Sequence, residues 1–301
     1  MHPPQTLTLF SPAKLNLFLA VTGRRPDGYH DLLSVAAPLD FGDELAVRVE
    51  GSMSKVANQF TLECDDPAVP VGGDNLVLQA AAAFAAETGW RGSVAFRLAK
   101  RIPVGAGLGG GSSNAAAALR ALNQLGGARL GADTLAALAA RIGSDCPLFL
   151  PGGPVVMRGR GEQVEPLPAA AAARLRGRRV LLFKPASCGV ATPWAYGRLA
   201  AAGAYLPAAE AERRLATWLD GRAGVEELLF NSFEAVVFRK FVALPALAER
   251  LQREFNLAPR LSGSGSACFA FLPADAPVAA ITAAIREAWG AVAFVREARL
   301  A

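Results

Sequence analysis

From Lys14 to Val21 apolar and polar positions alternate: Leu15, Leu17, Leu19 and Val21 share one face, and Lys14, Asn16 and Phe18 share the other. This predicts a strand over 6–22. The run Arg24-Arg25-Pro26-Asp27-Gly28-Tyr29-His30 follows, with Pro-Asp-Gly as turn chemistry. Further strands are predicted near 31–38, 44–50 and 60–64. Helical spacing then predicts a helix over 75–87 with Asp74 as its N-cap. A strand near 93–100 leads into a glycine-rich loop at 103–111, followed by helices over 112–125 and from Asp133. Residues 154–167 read as a hairpin, and 168–177 (PAAAAARLRG) as a linker or short helix. Beyond it come a strand at 180–184, helices between 192 and 256, and a Gly/Ser turn at 262–266. A strand at 268–272, a helix from Asp275 and a strand near 291–295 complete the chain. This order is α+β. A chain of 301 residues predicts two domains, and the low-complexity stretch divides them into 1–167 and 178–301.

Composition narrows the class. Hydrophobic residues make up 52%, charged residues 19%, and the mean hydropathy is +0.28, which excludes a disordered chain. No uncharged apolar run approaches the ~18 residues of a membrane span; Glu87 and Arg286–Glu287 interrupt the alanine-rich stretches. The start, MHPPQTLTLFSPAK, lacks the basic end and apolar core of a secretory signal. A soluble, cytoplasmic protein without a membrane partner is expected. Cys64, Cys146, Cys188 and Cys268 form no C-x-x-C pair and are expected as buried thiols. With His2 and His30 the only histidines, a zinc site or a Ser–His–Asp triad has little to draw on. The net charge of +5 is scattered, and aromatics do not interleave with basic residues, so no nucleic-acid partner is expected. Monomer and homodimer both stay open. Five of the 31 basic residues are lysines, so each lysine is a candidate for chemistry that arginine does not perform.

The strongest chemical signal is PVGAGLGGGSSN at 103–114, running into Ala115–Leu119. Its glycines let the backbone approach a ligand and turn N–H groups inward. The helix start behind them offers unpaired donors and the positive dipole end, an anion site. The alternative is a flexible turn with Ser112 or Ser113 as N-cap. Gly105-x-Gly107-x-x-Gly110 also fits the dinucleotide fingerprint, but the region upstream reads as a strand meander; no Lys-Ser/Thr follows for a Walker loop. Lys14 and Asn16 share one face of an apolar strand, either buried with a partner or on a solvated edge. Asp145, in Gly143-Ser144-Asp145-Cys146-Pro147, is a candidate base or a helix N-cap. Tyr29–His30 can stack on a base and bond its edge, or staple the turn. Ser262-Gly263-Ser264-Gly265-Ser266 is a second small-residue loop.

Taken together, Ser11-Pro-Ala-Lys14-Leu-Asn16, residues 103–114 and Ser262-Gly-Ser-Gly265 resemble the three motifs of the GHMP kinases. RRPDGYH, GGGSSN and Gly143–Pro147 narrow the resemblance to members whose acceptor is a cytidine-diphosphate-linked polyol. The resemblance implies an N-terminal domain like ribosomal protein S5 domain 2, a C-terminal ferredoxin-like domain, ATP as co-substrate and Mg2+. It implies phosphorylation of the 2-hydroxyl of 4-diphosphocytidyl-2-C-methyl-D-erythritol in the non-mevalonate isoprenoid precursor route. Another small alcohol, such as homoserine or mevalonate, is the alternative acceptor. Carried over by position, Lys14 and Asp145 fall on the catalytic pair. Pro103, Val104, Gly105, Ala106, Gly107, Leu108, Gly109, Gly110, Gly111, Ser112 and Ser113 fall on the ATP phosphates, and Asn75 and Lys100 on the adenine border. Asn16, Tyr29, His30, Thr192 and Tyr196 fall on the substrate, with Tyr29 and Tyr196 sandwiching the cytosine. No magnesium ligand can be named. Asn231-Ser232-Phe233-Glu234 carries Ser where relatives often have Asp, and receives no site role.

Overall fold

A computed structural model describes residues 5–50, 58–126 and 130–301; His2 lies outside the described residues. The elements run β1 (Gln5–Arg24), β2 (His30–Glu50), β3 (Gln59–Cys64), α1 (Leu76–Thr88), β4 (Ser93–Ala99), α2 (Gly110–Leu125) and α3 (Ala132–Ile142). A short 3-10 turn (Pro147–Phe149) precedes β5 (Val155–Arg158), β6 (Gln163–Pro166), α4 (Ala169–Leu175) and β7 (Arg179–Lys184). Then follow α5 (Thr192–Ala202), α6 (Ala208–Leu219), α7 (Val225–Leu228), β8 (Phe230–Asn231), α8 (Glu234–Lys240) and α9 (Ala243–Phe255). The last elements are β9 (Arg260–Leu261), β10 (Cys268–Phe271), α10 (Val278–Trp289) and β11 (Phe294–Arg299). By spatial contact the chain forms two compact units. Unit 1 gathers Met1–Ala13, Phe41–Val104 and Gly109–Gly152; unit 2 gathers Lys14–Asp40, Gly105–Leu108 and Gly153–Ala301. This partition follows contact and interleaves along the chain, whereas the division into 1–167 and 178–301 follows the sequence.

In unit 1, β4 lies parallel to β3 and antiparallel to the second half of β2, from Glu44↔Ala99 to Glu50↔Ser93. Leu45, Val47, Val94, Phe96 and Leu98 present one face of this sheet to α1, α2 and α3. The facing helices carry Ala80, Ala81, Ala115, Ala118 and Ala121, whose small side chains let α1 and α2 approach closely around the fully buried Phe84. In unit 2, the first half of β2 pairs with β5 at Ser34↔Met157, and β5 with β6. β8 runs parallel to β1 at Phe18↔Phe230 and Leu19↔Asn231. A second, antiparallel sheet has the order β11-β7-β10-β9. Residues 13–21 of β1 are all buried, on both faces, so the solvated-edge reading of Lys14 and Asn16 does not hold.

Several boundaries differ from the sequence reading. The segments 31–38 and 44–50 are one strand, β2. The polar residues between them are paired: Asp40 accepts from the Arg299 amide at 2.7 Å, and the Asp43 carboxylate is wholly buried and bonded. The N-cap of α1 is Asn75, which has the extended backbone and accepts from the Val77 amide at 2.9 Å; Asp74 does not hold that position. Helix α2 starts at Gly110 rather than Ser112, α10 starts after Pro277, and the last strand spans Phe294–Arg299. The stretch read as linker or short helix contains α4, anchored by the fully buried Leu175. β8 and β9 have two residues each, too short to show a period.

Gly42 shows how closely the strands of unit 1 approach. A Cβ there would stand 2.3 Å from the Ser11 carbonyl oxygen and 2.8 Å from Pro12 Cα. Backbone cannot rotate away, so Gly42→Ala is expected to destabilise the protein by about 1–3 kcal/mol, read as a lowered urea midpoint.

Candidate active site

The glycine-rich loop is built on left-handed backbone at Gly105, Gly107 and Gly109, with φ of 63°, 78° and 73°. Between them Ala106 and Leu108 are buried. In unit 2 the Ala106 and Leu108 carbonyls accept from the Ala267 and Lys14 amides, both at 3.0 Å. Alternate residues thus anchor the loop while the glycines turn. Gly109 is the N-cap of α2, and no side chain caps the helix. Ser113 instead accepts a bond from the Ser11 hydroxyl at 2.9 Å, and Ser112 bonds the Cys146 thiol. The first amides of α2 are therefore left without a side-chain acceptor, the arrangement that receives an anion.

The loop's two ends are tied together by Asp43, which the sequence reading passed over. Its carboxylate accepts from Lys100 Nζ at 2.6 Å, from the Arg101 and Ile102 amides at 2.7 and 2.8 Å, and from Asn114 Nδ2 at 3.0 Å. Asn114 Nδ2 also reaches Ser11 Oγ at 2.8 Å. Its neighbours Asp40, Gly42 and Glu44 make it look like part of a polar turn, so nothing local marked it. Lys100 is thus engaged by Asp43, and Asn75 by the α1 amide and the Pro70 carbonyl at 2.7 Å.

Asp145 is in unit 1, in the turn before the 3-10 turn, whose cap position is Cys146 rather than Asp145. The turn lies beside the start of α2: a Cβ on Gly143 would stand 3.2 Å from Cys146 Sγ and 3.9 Å from Ser112 Oγ. Burial, with the Asp145 charge adding, pushes the Cys146 thiol up to about 12, so it is inert at neutral pH. Lys14 is in unit 2 and 2% exposed. Its Nζ donates to Asn16 Oδ1; Asn16 Nδ2 donates to Ser34 Oγ at 2.9 Å, and Ser34 Oγ donates to the Phe18 carbonyl at 2.7 Å. That relay fixes where the ammonium stands.

Tyr29, His30, Thr192 and Tyr196 all belong to unit 2. The Tyr29 ring is 54% exposed and covered on one side by Arg160, 4.7 Å from its centroid. His30 stacks on Tyr196 at 4.8 Å and also touches Tyr205 at 6.0 Å, an aromatic the sequence reading missed. Phe233 meets Tyr196 edge-on at 4.8 Å. His30 Nε2 is buried and has no hydrogen-bond partner. An orphaned ring nitrogen beside a stacked tyrosine fits a planar heterocycle with a polar edge. Thr192 opens α5 and shares a 2.8 Å hydroxyl bond with Ser264. Among the described residues no group of three or more His, Cys, Asp or Glu could hold a metal ion.

Residues 75–153 match the model of the GHMP kinases N terminal domain. Over 276 residues the chain is 41% identical to a 4-diphosphocytidyl-2-C-methyl-D-erythritol kinase of Synechococcus sp. (strain CC9902), covering 88% of this chain and 87% of that one. The chain belongs to the 4-diphosphocytidyl-2-C-methyl-D-erythritol kinases, within the GHMP kinase family. A crystal structure of 4-(cytidine 5'-diphospho)-2C-methyl-D-erythritol kinase superposes with a TM-score of 0.73 at 35% identity, over 98% of this chain and 100% of that one. Homoserine kinase from Cytophaga hutchinsonii gives a TM-score of 0.72 at 18% identity, over 98% and 95%, and shares the fold. The α+β architecture is therefore the GHMP kinase fold, and the chain is a small-molecule kinase. A dinucleotide fingerprint opens a βαβ unit whose second strand lies parallel to the first; here the strand that follows the loop and α2 is β5, and it pairs antiparallel with β2 and β6.

Two outcomes follow from this geometry. Asp43→Ala leaves the Lys100 ammonium buried without its carboxylate and should cost about 3–5 kcal/mol in denaturant unfolding. Burial, with Arg24 adding, holds the His30 imidazole below its ordinary value of 6.5. The unfolded chain therefore takes up the proton first as pH falls. His30's contribution to stability is present above the unfolded value and is lost as pH drops through the folded one. An NMR titration should give His30 a midpoint below that of an unstructured histidine, with the His30→Gln spectrum assigning the signal.

Proposed function

We propose that this kinase transfers the γ-phosphoryl group of ATP to the 2-hydroxyl of 4-diphosphocytidyl-2-C-methyl-D-erythritol, in the cytoplasm, as a step of the non-mevalonate isoprenoid precursor route. The observation that carries the acceptor is the buried, unpartnered Nε2 of His30 beside the Tyr196 ring. A small unlinked alcohol has no use for such a nitrogen; a cytosine edge does. Tyr29 and Tyr196 supply the stacking faces, and Asn16 and Thr192 border the polyol side. Residues 1–167 and 178–301 are the N- and C-terminal domains of this reading.

Phosphoryl transfer needs alignment, charge stabilisation and a route for the hydroxyl proton. The loop from Pro103 to Ser113 receives the phosphates on the uncapped amides of α2. Asn75 and Lys100 border the adenine; the α1 cap and the Asp43 pair hold them in place. Asp145 orients the 2-hydroxyl and accepts its proton, and Lys14 favours the developing alkoxide. Mg2+ supplies charge neutralisation on the ATP phosphates. It keeps several waters and needs only one or two protein oxygens, so it requires no three-carboxylate cage.

The test is ATP turnover with magnesium on the cytidyl compound, against the same polyol lacking the cytidyl diphosphate. Phosphorylation of the cytidyl compound alone is expected. Preference for homoserine or mevalonate would overturn the assignment. Asp145→Asn and Lys14→Ala are each expected to lower kcat by ~10²–10⁴-fold with an unchanged circular-dichroism spectrum. A variant with near-parental kcat removes that residue from the mechanism.

A further inference from the structure

We infer that Asn231 is a positioning residue for phosphoryl transfer: its amide locks the 261–266 loop on which Lys14, Gly107 and Thr192 converge. The inference rests on the function proposed above. It concerns a segment to which the sequence motifs give no role.

Asn231 is 3% exposed, at the end of β8. Its two amide hydrogens are both used, on the Leu261 and Gly263 carbonyls, each at 2.8 Å. Its Oδ1 accepts from the Phe233 amide at 2.9 Å, which fixes which end of the amide faces the loop. Glu234 of the same segment accepts from the Leu261 amide at 2.9 Å. Within the loop the Gly265 amide donates to the Ser262 carbonyl and the Ser262 amide to the Ala267 carbonyl, both at 2.9 Å. But Gly263 and Gly265 are left-handed, with φ of 57° and 88°, and the Leu261 and Gly263 carbonyls take their side-chain donor from Asn231. Two carbonyls two residues apart, aimed at one point, repel unless a paired donor stands between them. A planar NH2 group meets both at once.

What the loop touches gives the anchor its consequence. Ser262 Oγ donates to the Gly107 carbonyl at 3.1 Å, and a Cβ on Gly107 would stand 2.2 Å from the Ser262 carbonyl oxygen. The Cβ position of Gly263 lies 3.3 Å from Lys14 Nζ. Ser264 bonds Thr192. The Asn231 backbone is itself in register with Leu19 of β1, the strand that carries Lys14 and Asn16. Asn231 therefore holds the loop whose other contacts space the phosphate loop, the Lys14 ammonium and the substrate-side threonine. Displacements of about 1 Å in such a constellation cost on the order of 10²-fold in rate.

The discriminating variant is Asn231→Asp, the same shape without the donors. Its ionised carboxylate faces two carbonyls; protonated, it returns one donor. Expected are a kcat at least about tenfold lower, a raised KM for ATP, and activity relative to the parent that climbs from about pH 8 to about pH 6. Ser232→Ala is the structural control. It removes the buried bond from the Val21 amide at 3.0 Å without touching the loop, and should lower Tm while kcat and KM stay parental. If Asn231→Asp does not fold, Ser262→Ala breaks only the hold on Gly107 and should weaken ATP binding by calorimetry. The inference is overturned if Asn231→Asp keeps kcat and KM within about twofold of the parent, or if Ser232→Ala loses activity in the same proportion to its Tm. It is also overturned if Ser262→Ala, used as the substitute, binds ATP like the parent. A parent that binds ATP yet phosphorylates no cytidyl compound defeats the proposed function instead, and ATP affinity of the variants still decides the role of Asn231.

Discussion

The buried Asp43 carboxylate is the constraint on which unit 1 depends. A fully desolvated carboxylate is tolerated only where its lone pairs are met. Here a lysine, two backbone amides and a carboxamide meet them. The partners come from the chain entering the glycine loop and from the first turns of α2. One side chain thus fixes both ends of the loop to β2, and the glycines between can adopt left-handed backbone without the loop wandering. The Asn114–Ser11–Ser113 bonds extend the same network to β1.

That network also decides what the start of α2 can do. Serines at a helix start ordinarily turn back to cap it. In this chain Ser113 is held by Ser11 and Ser112 by Cys146, while Gly109 has no side chain to offer. The hydroxyls are directed sideways and the helix amides stay open. The open amides at the start of α2 therefore follow from where the two hydroxyls are bonded as much as from the glycines themselves, and Cys146 acts as a packing and bonding partner.

The sequence made the strand of Lys14, the glycine loop, the hairpin and most helices legible, because each has either a period or a punctuating residue. It did not show that β2 is one strand. Asp40, Gly42 and Asp43 look like a turn until their partners, far away in sequence, are known. The choice of Asn75 over Asp74 as cap turns on backbone angles that two adjacent cap-forming residues do not reveal. Tyr205 was passed over, and the Asn231 segment received no role, for a similar reason. A two-residue strand has no pattern, and an aromatic before Leu-Pro carries no mark of the histidine it packs on.

The scarcity of lysine was an informative signal, and its physical content is now clearer. Lys14 is 2% exposed and Lys184 7%, and the Lys100 side chain is 6% exposed. Each has a defined oxygen partner: Asn16 Oδ1, the Pro185 carbonyl and the Asp43 carboxylate. Lys240 lies over the Trp194 ring at 4.1 Å. Surface charge in this chain is carried by arginine, whose planar fork pairs with carboxylates such as Glu212, Glu226 and Glu297. Lys14, Lys100 and Lys184 each place a compact charge at a point inside the fold, whereas Lys240 is exposed. Of the buried lysines, Lys100 is committed to a carboxylate that serves the fold, and burial lowers Lys184 against a carbonyl. Lys14 has a neutral amide, Asn16 Oδ1, among its partners, and the Gly263 turn that Asn231 holds lies beside its ammonium. The Asn16–Ser34–Phe18 relay behind that amide fixes where the ammonium stands, so the strand encodes a position for the charge inside the fold.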